Sequence, residues 1–297
     1  MAELDHAEVH RGARLRALLF VPGDRPDRME KAVAAGADAL ILDLEDSVGA
    51  AAKHAARAAI AAFLSSAVPR GPLLFVRINA LDSGLAADDL AAVVPARPYG
   101  IVLPKAEGGP SLARLDRMLA ELGDEGACIL PIATETPSAM FALGTYGGVT
   151  SRLCGLTWGA EDLPAAIGAT ASREPDGRYT APLEVARSLA LFGAHAAGVP
   201  AIETVFPAFR DLDGLAAYAA RGRRDGFTGM LAIHPSQVPV INAAFTPTAP
   251  EIERARRIVA LFAANPGAGA LGMDGSMIDL PHLKQARRLL LMAGEAP

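Results

Sequence analysis

The chain has 297 residues, enough for one large domain or two modest ones, and is 51% hydrophobic against 21% charged, which excludes a disordered protein. A formal net charge of -5 argues against nucleic acid as the main partner. No apolar run is long enough to span a bilayer, so no membrane partner is expected. Residues 1–15 read as a polar, flexible lead-in that lacks the apolar segment of a signal peptide, and a cytoplasmic protein is expected. Cys128 and Cys154 lie far apart without Cys-x-x-Cys spacing, and each opens an apolar run. Free buried thiols are therefore expected rather than a disulfide. The six histidines show no metal-ligand spacing, which argues against zinc.

Apolar runs and amphipathic patterns alternate from Arg16 onward. Strands are expected at 16–21, 39–44, 73–78, 100–103, 128–133, 153–158, 201–206 and 229–233. Helices are expected between them, at 27–35, 53–64, 82–94, 111–122, 137–143, 183–197 and 212–225, with a turn from Pro69 to Pro72. Glu161 to Thr180 reads as an irregular, polar insertion. About eight β-then-α units predict an α/β fold, a closed parallel TIM (β/α)8 barrel, over residues 16–246. An open doubly wound sheet would usually carry a glycine-rich turn after its first strand, and Pro22-Gly23-Asp24-Arg25-Pro26 is not one. Residues 247–297 follow as a helical extension, an arm or lid, with a short hairpin near Met273 to Ile278.

In such a barrel the chemistry gathers at the C-terminal ends of the strands. The second strand, Ala39 to Leu44, is apolar and then abruptly acidic. Alternation puts Ile41, Asp43 and Glu45 on one face and the leucines on the other. Asp46 or Ser47 could instead cap the following helix. Glu135 and Asp162 end the fifth and sixth strands, and two carboxylates without His or Cys suit a hard cation such as magnesium. Helix capping by these residues is the competing reading. Arg77 could grip a carboxylate or enolate oxygen, or pair with Asp43 or Glu45. Arg25 and Lys31, flanking the first helix, could hold phosphates or be plain solvated charge. Lys105 suits a structural or substrate-contact role better than a Schiff base, and His234 reads as a satisfied core histidine.

These residues occur in a recognisable order. Leu19-Phe20-Val21-Pro22-Gly23 is followed by Ile41-Leu42-Asp43-Leu44-Glu45-Asp46, Val76-Arg77-Ile78-Asn79 and Leu103-Pro104-Lys105. Glu135-Thr136, Trp158-Gly159-Ala160-Glu161-Asp162, Ile233-His234-Pro235 and Gly275-Ser276-Met277-Ile278-Asp279 complete the set. The whole, from Arg16 to Leu291, resembles the citrate lyase β-subunit-like branch of the HpcH/HpaI aldolase family, which includes malyl-CoA and citramalyl-CoA lyases. The resemblance implies a Mg2+-dependent lyase, with Mn2+ as a substitute, acting on a CoA thioester. Its reversible Claisen chemistry would yield a short acyl-CoA and a 2-oxo acid. It implies Glu135 and Asp162 as metal ligands, Arg77 at the reacting end, and Glu45 and Asp46 beside the metal and its waters. Arg25 and Lys31 become the candidates for binding CoA. Asp279, which by position reads as the cap of a helix beginning at Pro281, is implied by the resemblance to act in trans, in a neighbouring subunit of a homo-oligomer, a trimer or hexamer. Where many relatives carry a further acid after the position of Asp162, this chain reads Leu163-Pro164-Ala165-Ala166-Ile167-Gly168. A malyl-CoA thioesterase and the β subunit of a citrate lyase complex are the rival functions.

Overall fold

A computed structural model describes residues 13–66 and 71–295 of the chain. Most of the expected lead-in and half of the Pro69 to Pro72 turn lie outside the described residues. The chain divides after Ala244 into two compact units.

The first unit is a parallel barrel. Its strands are β1 (Ala17–Pro22), β2 (Ala39–Asp43), β3 (Leu73–Arg77), β4 (Gly100–Leu103), β5 (Cys128–Pro131), β6 (Leu156–Thr157), β7 (Ala201–Glu203) and β8 (Gly229–Ala232). The ladder runs β5-β4-β3-β2-β1-β8-β7-β6, and parallel bridges from Ile129 to Leu153 and from Ile132 to Thr157 close the ring. The intervening helices are α1 (Pro26–Ala32), α2 (Lys53–Ser66), α3 (Ala86–Val93), α4 (Gly109–Glu121), α5 (Pro137–Met140), α6 (Asp162–Ala166), α7 (Ala181–Ala196), α8 (Leu212–Asp225) and α9 (Gln237–Ala244). Among the described residues no helix is long and apolar enough to cross a membrane.

Strand alternation sorts the side chains as the pleat requires. Ile41, Phe75, Val102 and Leu130 form the barrel's inner core, together with both free cysteines, Cys128 and Cys154. Two residues further along their strands, Asp43 and Arg77 occupy the same register level, Pro22 beside Asp43 beside Arg77. The barrel therefore carries its apolar packing below and its charges at the C-terminal rim. At the other rim, a Cβ on Gly229 would lie 1.8 Å from the Leu15 carbonyl oxygen. Only glycine lets the chain pass there.

Some expected bounds shorten. The seventh strand ends at Glu203 because the Thr204 N–H goes to the Glu203 carboxylate, 3.0 Å, and not to a ladder carbonyl. The sixth ends at Thr157, and Gly159 N–H turns to Thr134 Oγ1, 3.1 Å. The second ends at Asp43 rather than Leu44, so Glu45 is not placed by alternation. A turn places it instead, with the N–H groups of Glu45 and Ser47 donating to the two Asp43 oxygens at 2.9 and 3.1 Å. Neither Asp46 nor Ser47 caps the next helical segment, whose first turn starts after Gly49 without a side-chain cap.

The second unit comprises α10 (Ala249–Ala263), the antiparallel strands β9 (Ala270–Met273) and β10 (Ser276–Asp279), and α11 (Leu280–Met292). Asp274 and Gly275 both adopt positive φ, 50° and 77°, the pattern of a two-residue hairpin turn. Ile258, Phe262, Met273, Ile278, Leu283 and Leu290 bury against one another as its small core.

Candidate active site

A cleft of about 450 Å3 opens at the C-terminal rim of the barrel. Asp43, Asp46, Arg77, Glu135, Glu161 and Asp162 line it, with Phe20, Ile132, Trp158, Val205 and Leu231 as apolar walls. The rim thus gathers carboxylates from the end of β2, the segment after β5 and the start of α6 around one arginine from β3.

Arg77 grips Asp43 with its fork, Nε to Oδ1 at 2.6 Å and Nη2 to Oδ2 at 2.7 Å. Its guanidinium lies over the Phe20 ring, 4.8 Å from the centroid. Burial alone would push the Asp43 carboxyl up. Arg77, Ser47 and Glu45 together outweigh this and hold it below the usual carboxylate range. Arg77 Nη1 also stands 3.0 Å from Glu45 Oε2. That oxygen makes no well-directed hydrogen bond, so charge attraction, not bond geometry, holds it. Burial raises the Glu45 carboxyl despite its cationic neighbours. The expected pairing of Arg77 with Asp43 and Glu45 is present, and the arginine still faces the cleft.

The turn bearing Glu45 is fixed from behind. Lys53 Nζ donates to the carbonyls of Leu44 and Glu45 at 2.6 and 2.8 Å and to Asn79 Oδ1 at 2.7 Å. Asn79 is held in turn by buried Asp89, which accepts from the Asn79 backbone at 2.8 Å and side chain at 2.6 Å and from Arg57 Nε at 2.7 Å.

Glu135 lies just past β5 and is 4% exposed. Its Oε2 accepts the Lys105 backbone N–H at 2.6 Å. Burial, and then the negative charges of Asp162 and Glu45, push its carboxyl up to about 8, with the Lys105 N–H pulling the other way. Capping of the next helix, the competing reading for Glu135, belongs instead to Thr136, whose Oγ1 accepts Ala139 N–H at 3.2 Å. Asp162 opens α6 but makes no cap, and its Oδ1 lies 3.3 Å from Lys105 Nζ. Gly159 closes over Glu135, since a Cβ there would meet Glu135 Cγ at 2.8 Å and Oε1 at 3.0 Å. Gly159→Ala is therefore expected to displace Glu135 at a stability cost of about 1–3 kcal/mol. Calorimetric Mg2+ titration beside a thermal melt checks this, and unaltered Mg2+ binding would count against it.

The other expected residues make contacts of their own. Arg25 is exposed and pairs with Asp27, at 3.0 Å, and neither it nor Lys31 lines the cleft; Arg28, from the same helix, does. His234 is not a core histidine: it is exposed, stacked on Phe209 at 4.9 Å, with Nδ1 2.7 Å from Ser236 Oγ. Buried Gln237 does the structural work there, accepting the N–H groups of Ile233 and His234. Asp279 caps α11, accepting the His282 N–H at 3.4 Å, with Oδ1 2.5 Å from His282 Nδ1. That hydrogen bond lowers its carboxyl.

Glu203 went unread in the sequence. It ends β7 fully buried, accepting from Trp158 Nε1 at 2.5 Å, Tyr218 Oη at 2.8 Å and Arg187 Nε at 2.8 Å. It thereby fixes the tryptophan that walls the cleft. Its signal was the one that marked Asp43, an acid closing an apolar run.

The fold and rim together define a (β/α)8-barrel protein whose mouth concentrates carboxylates around an arginine. The chain belongs to the HpcH/HpaI aldolase/citrate lyase family, whose sequence model matches residues 16–235. It is 34% identical to the mitochondrial citramalyl-CoA lyase of Mus musculus over 301 residues, spanning 96% of this chain and 87% of that protein. It is 32% identical to a (3S)-malyl-CoA thioesterase of Cereibacter sphaeroides over 286 residues, spanning 96% of each. The crystal structure of protein CitE from Mycobacterium tuberculosis, in complex with magnesium, acetoacetate and coenzyme A, matches with a TM-score of 0.79. The two are 35% identical, and the match covers 96% of this chain and 100% of that one.

Proposed function

We propose that this protein is a magnesium-dependent acyl-CoA lyase. Its substrate would be a 3-hydroxyacyl-CoA of the citramalyl-CoA or malyl-CoA type, cleaved reversibly to a short acyl-CoA and a 2-oxo acid. The observation that carries this reading is the meeting of Glu135, Asp162 and Arg77 at one cleft in a chain of this family.

The donor set fits a hard divalent ion. Glu135 Oε2 is engaged by Lys105, whereas Oε1 accepts no hydrogen bond among the described residues. Among those residues no three His, Cys, Asp or Glu side chains cluster to hold a metal unaided. Glu135 and Asp162 would hold magnesium as a carboxylate pair, the remaining positions falling to water and substrate. When bound, magnesium supplies Lewis-acid polarisation of the oxygen and carboxylate of the oxo-acid half. Arg77, oriented by Asp43, offers its remaining N–H groups to the negative charge that develops on the thioester enolate. Glu45 stands beside that arginine and Asp46 lines the cleft, and the two are the candidates for orienting water. The apolar walls of Phe20, Ile132, Val205 and Leu231 limit water around the enolate. Arg28 joins Arg25 and Lys31 as a candidate for the anionic parts of CoA.

The acyl carbon also needs a proton donor or acceptor. We assign this to Asp279 of a neighbouring subunit in a trimer or hexamer. Asp279→Asn is expected to stay folded and to bind Mg2+ but to lose C–C chemistry. Subunit exchange with Glu135→Ala should restore part of the turnover, because one mixed interface unites an intact metal site with an intact aspartate. No recovery in exchanged mixtures would refute action in trans, and full activity of Asp279→Asn alone would leave only the helix cap.

The function itself is tested in the condensation direction, with acetyl-CoA or propionyl-CoA offered glyoxylate, pyruvate or oxaloacetate. An EDTA-sensitive hydroxyacyl-CoA product from one pair is expected. A requirement for a carrier-protein partner would favour the citrate lyase subunit instead.

A further inference from the structure

Lys105 follows β4 with φ of 50°, in the left-handed region that a residue with a Cβ seldom enters. This conformation aims its backbone N–H at Glu135 Oε2, 2.6 Å away. Its side chain places Nζ 2.5 Å from Glu45 Oε1 and 3.3 Å from Asp162 Oδ1. One residue thus touches three carboxylates from three different segments of the rim. Arg77, also at this rim, is committed to Asp43 and the other oxygen of Glu45. Among the described residues Asp162 has no other ion-pair partner than Lys105.

We propose that Lys105 is a positioning residue with two separable parts: its N–H orients Glu135, and its ammonium competes with the divalent cation for Asp162. This rests on the reading of Glu135 and Asp162 as metal ligands. In the metal-free protein, Glu45, Glu135 and Asp162 would repel one another, and the ammonium balances them. A cation bound to Asp162 supplies that balance itself, and a lysine beside it then contributes like-charge repulsion. The side chain can give way, because it is 31% exposed and its four-carbon stem is flexible. Cation binding therefore releases Lys105 from Asp162 while the N–H to Glu135 stays.

The test is calorimetric titration of Mg2+ into metal-free wild type, Lys105→Met, Lys105→Gly and Glu135→Gln, each with a thermal melt. Lys105→Met keeps the stem without charge. Lys105→Gly keeps the N–H and suits the positive φ, so it guards against a fold defect in the methionine variant. Both are expected to bind Mg2+ about tenfold more tightly than wild type, and to gain more in Tm on adding Mg2+. Unchanged or weaker Mg2+ binding in both variants, with binding in wild type that is lost in Glu135→Gln, would overturn the competition and leave the metal site standing. Mg2+ binding that survives Glu135→Gln would overturn the metal reading and this proposal with it.

Discussion

Glu135→Gln should leave a folded barrel that no longer turns over. The substitution is nearly isosteric, and the amide oxygen can still accept the Lys105 N–H. Glu135 is already pushed up to about 8 by burial and by Asp162 and Glu45, so a neutral side chain suits its surroundings. Stability is therefore expected to hold or rise, while the anionic donor to the metal is gone. Losing Lewis-acid stabilisation of several kcal/mol corresponds to a fall in kcat on the order of a thousandfold or more. Steady-state kinetics with titrated Mg2+, beside a melt, measure both. Asp162→Asn should behave alike, and metal-dependent turnover at the wild-type rate in both variants would remove the pair from the mechanism.

Arg77→Lys is expected to cost about a hundredfold to a thousandfold in kcat/KM. Lysine keeps the charge but cannot make the two parallel bonds to Asp43 that orient the guanidinium. Asp43 is 1% exposed, so a neutral replacement such as Arg77→Met would strand a buried carboxylate and destabilise by about 3–5 kcal/mol. The lysine variant separates the two roles: its Tm should fall little while its kcat/KM collapses. A folded Arg77→Lys enzyme with wild-type kcat/KM would show that Arg77 serves only to neutralise Asp43.

The barrel was legible because its signal is periodic. Leu40 and Leu42 alternate with Ile41 and Asp43, and parallel register then brings Asp43 beside Arg77. Strand ends could be read as acids and bases that interrupt apolar runs, which located Asp43, Arg77, Glu135 and Asp162. Glu45 reached the site for a different reason than alternation, through a turn held by Asp43 and Lys53. The Asp43 hydrogen bonds that shape this turn span only two and four residues, but its bracing by Asn79, which donates to the Leu44 carbonyl from 35 residues away, is recorded in no local pattern. The role of Lys105 was hidden likewise, because its positive φ and its contacts, 30 residues to Glu135 and 60 to Glu45, exist only after folding. His234 misled because an apolar flank of Ile233 and Pro235 suggested burial, whereas the chain leaves the barrel there and Phe209 shields just one ring face.

The most direct measurement follows the fate of the carbon–carbon bond. Purified protein with Mg2+ and citramalyl-CoA or malyl-CoA, analysed for products by mass spectrometry, separates cleavage from hydrolysis. The lyase account predicts acetyl-CoA and a 2-oxo acid in equal amounts, formed only with the divalent ion and reversed when both are supplied. Free CoA with the intact hydroxy acid, and no acetyl-CoA at any time, would contradict it.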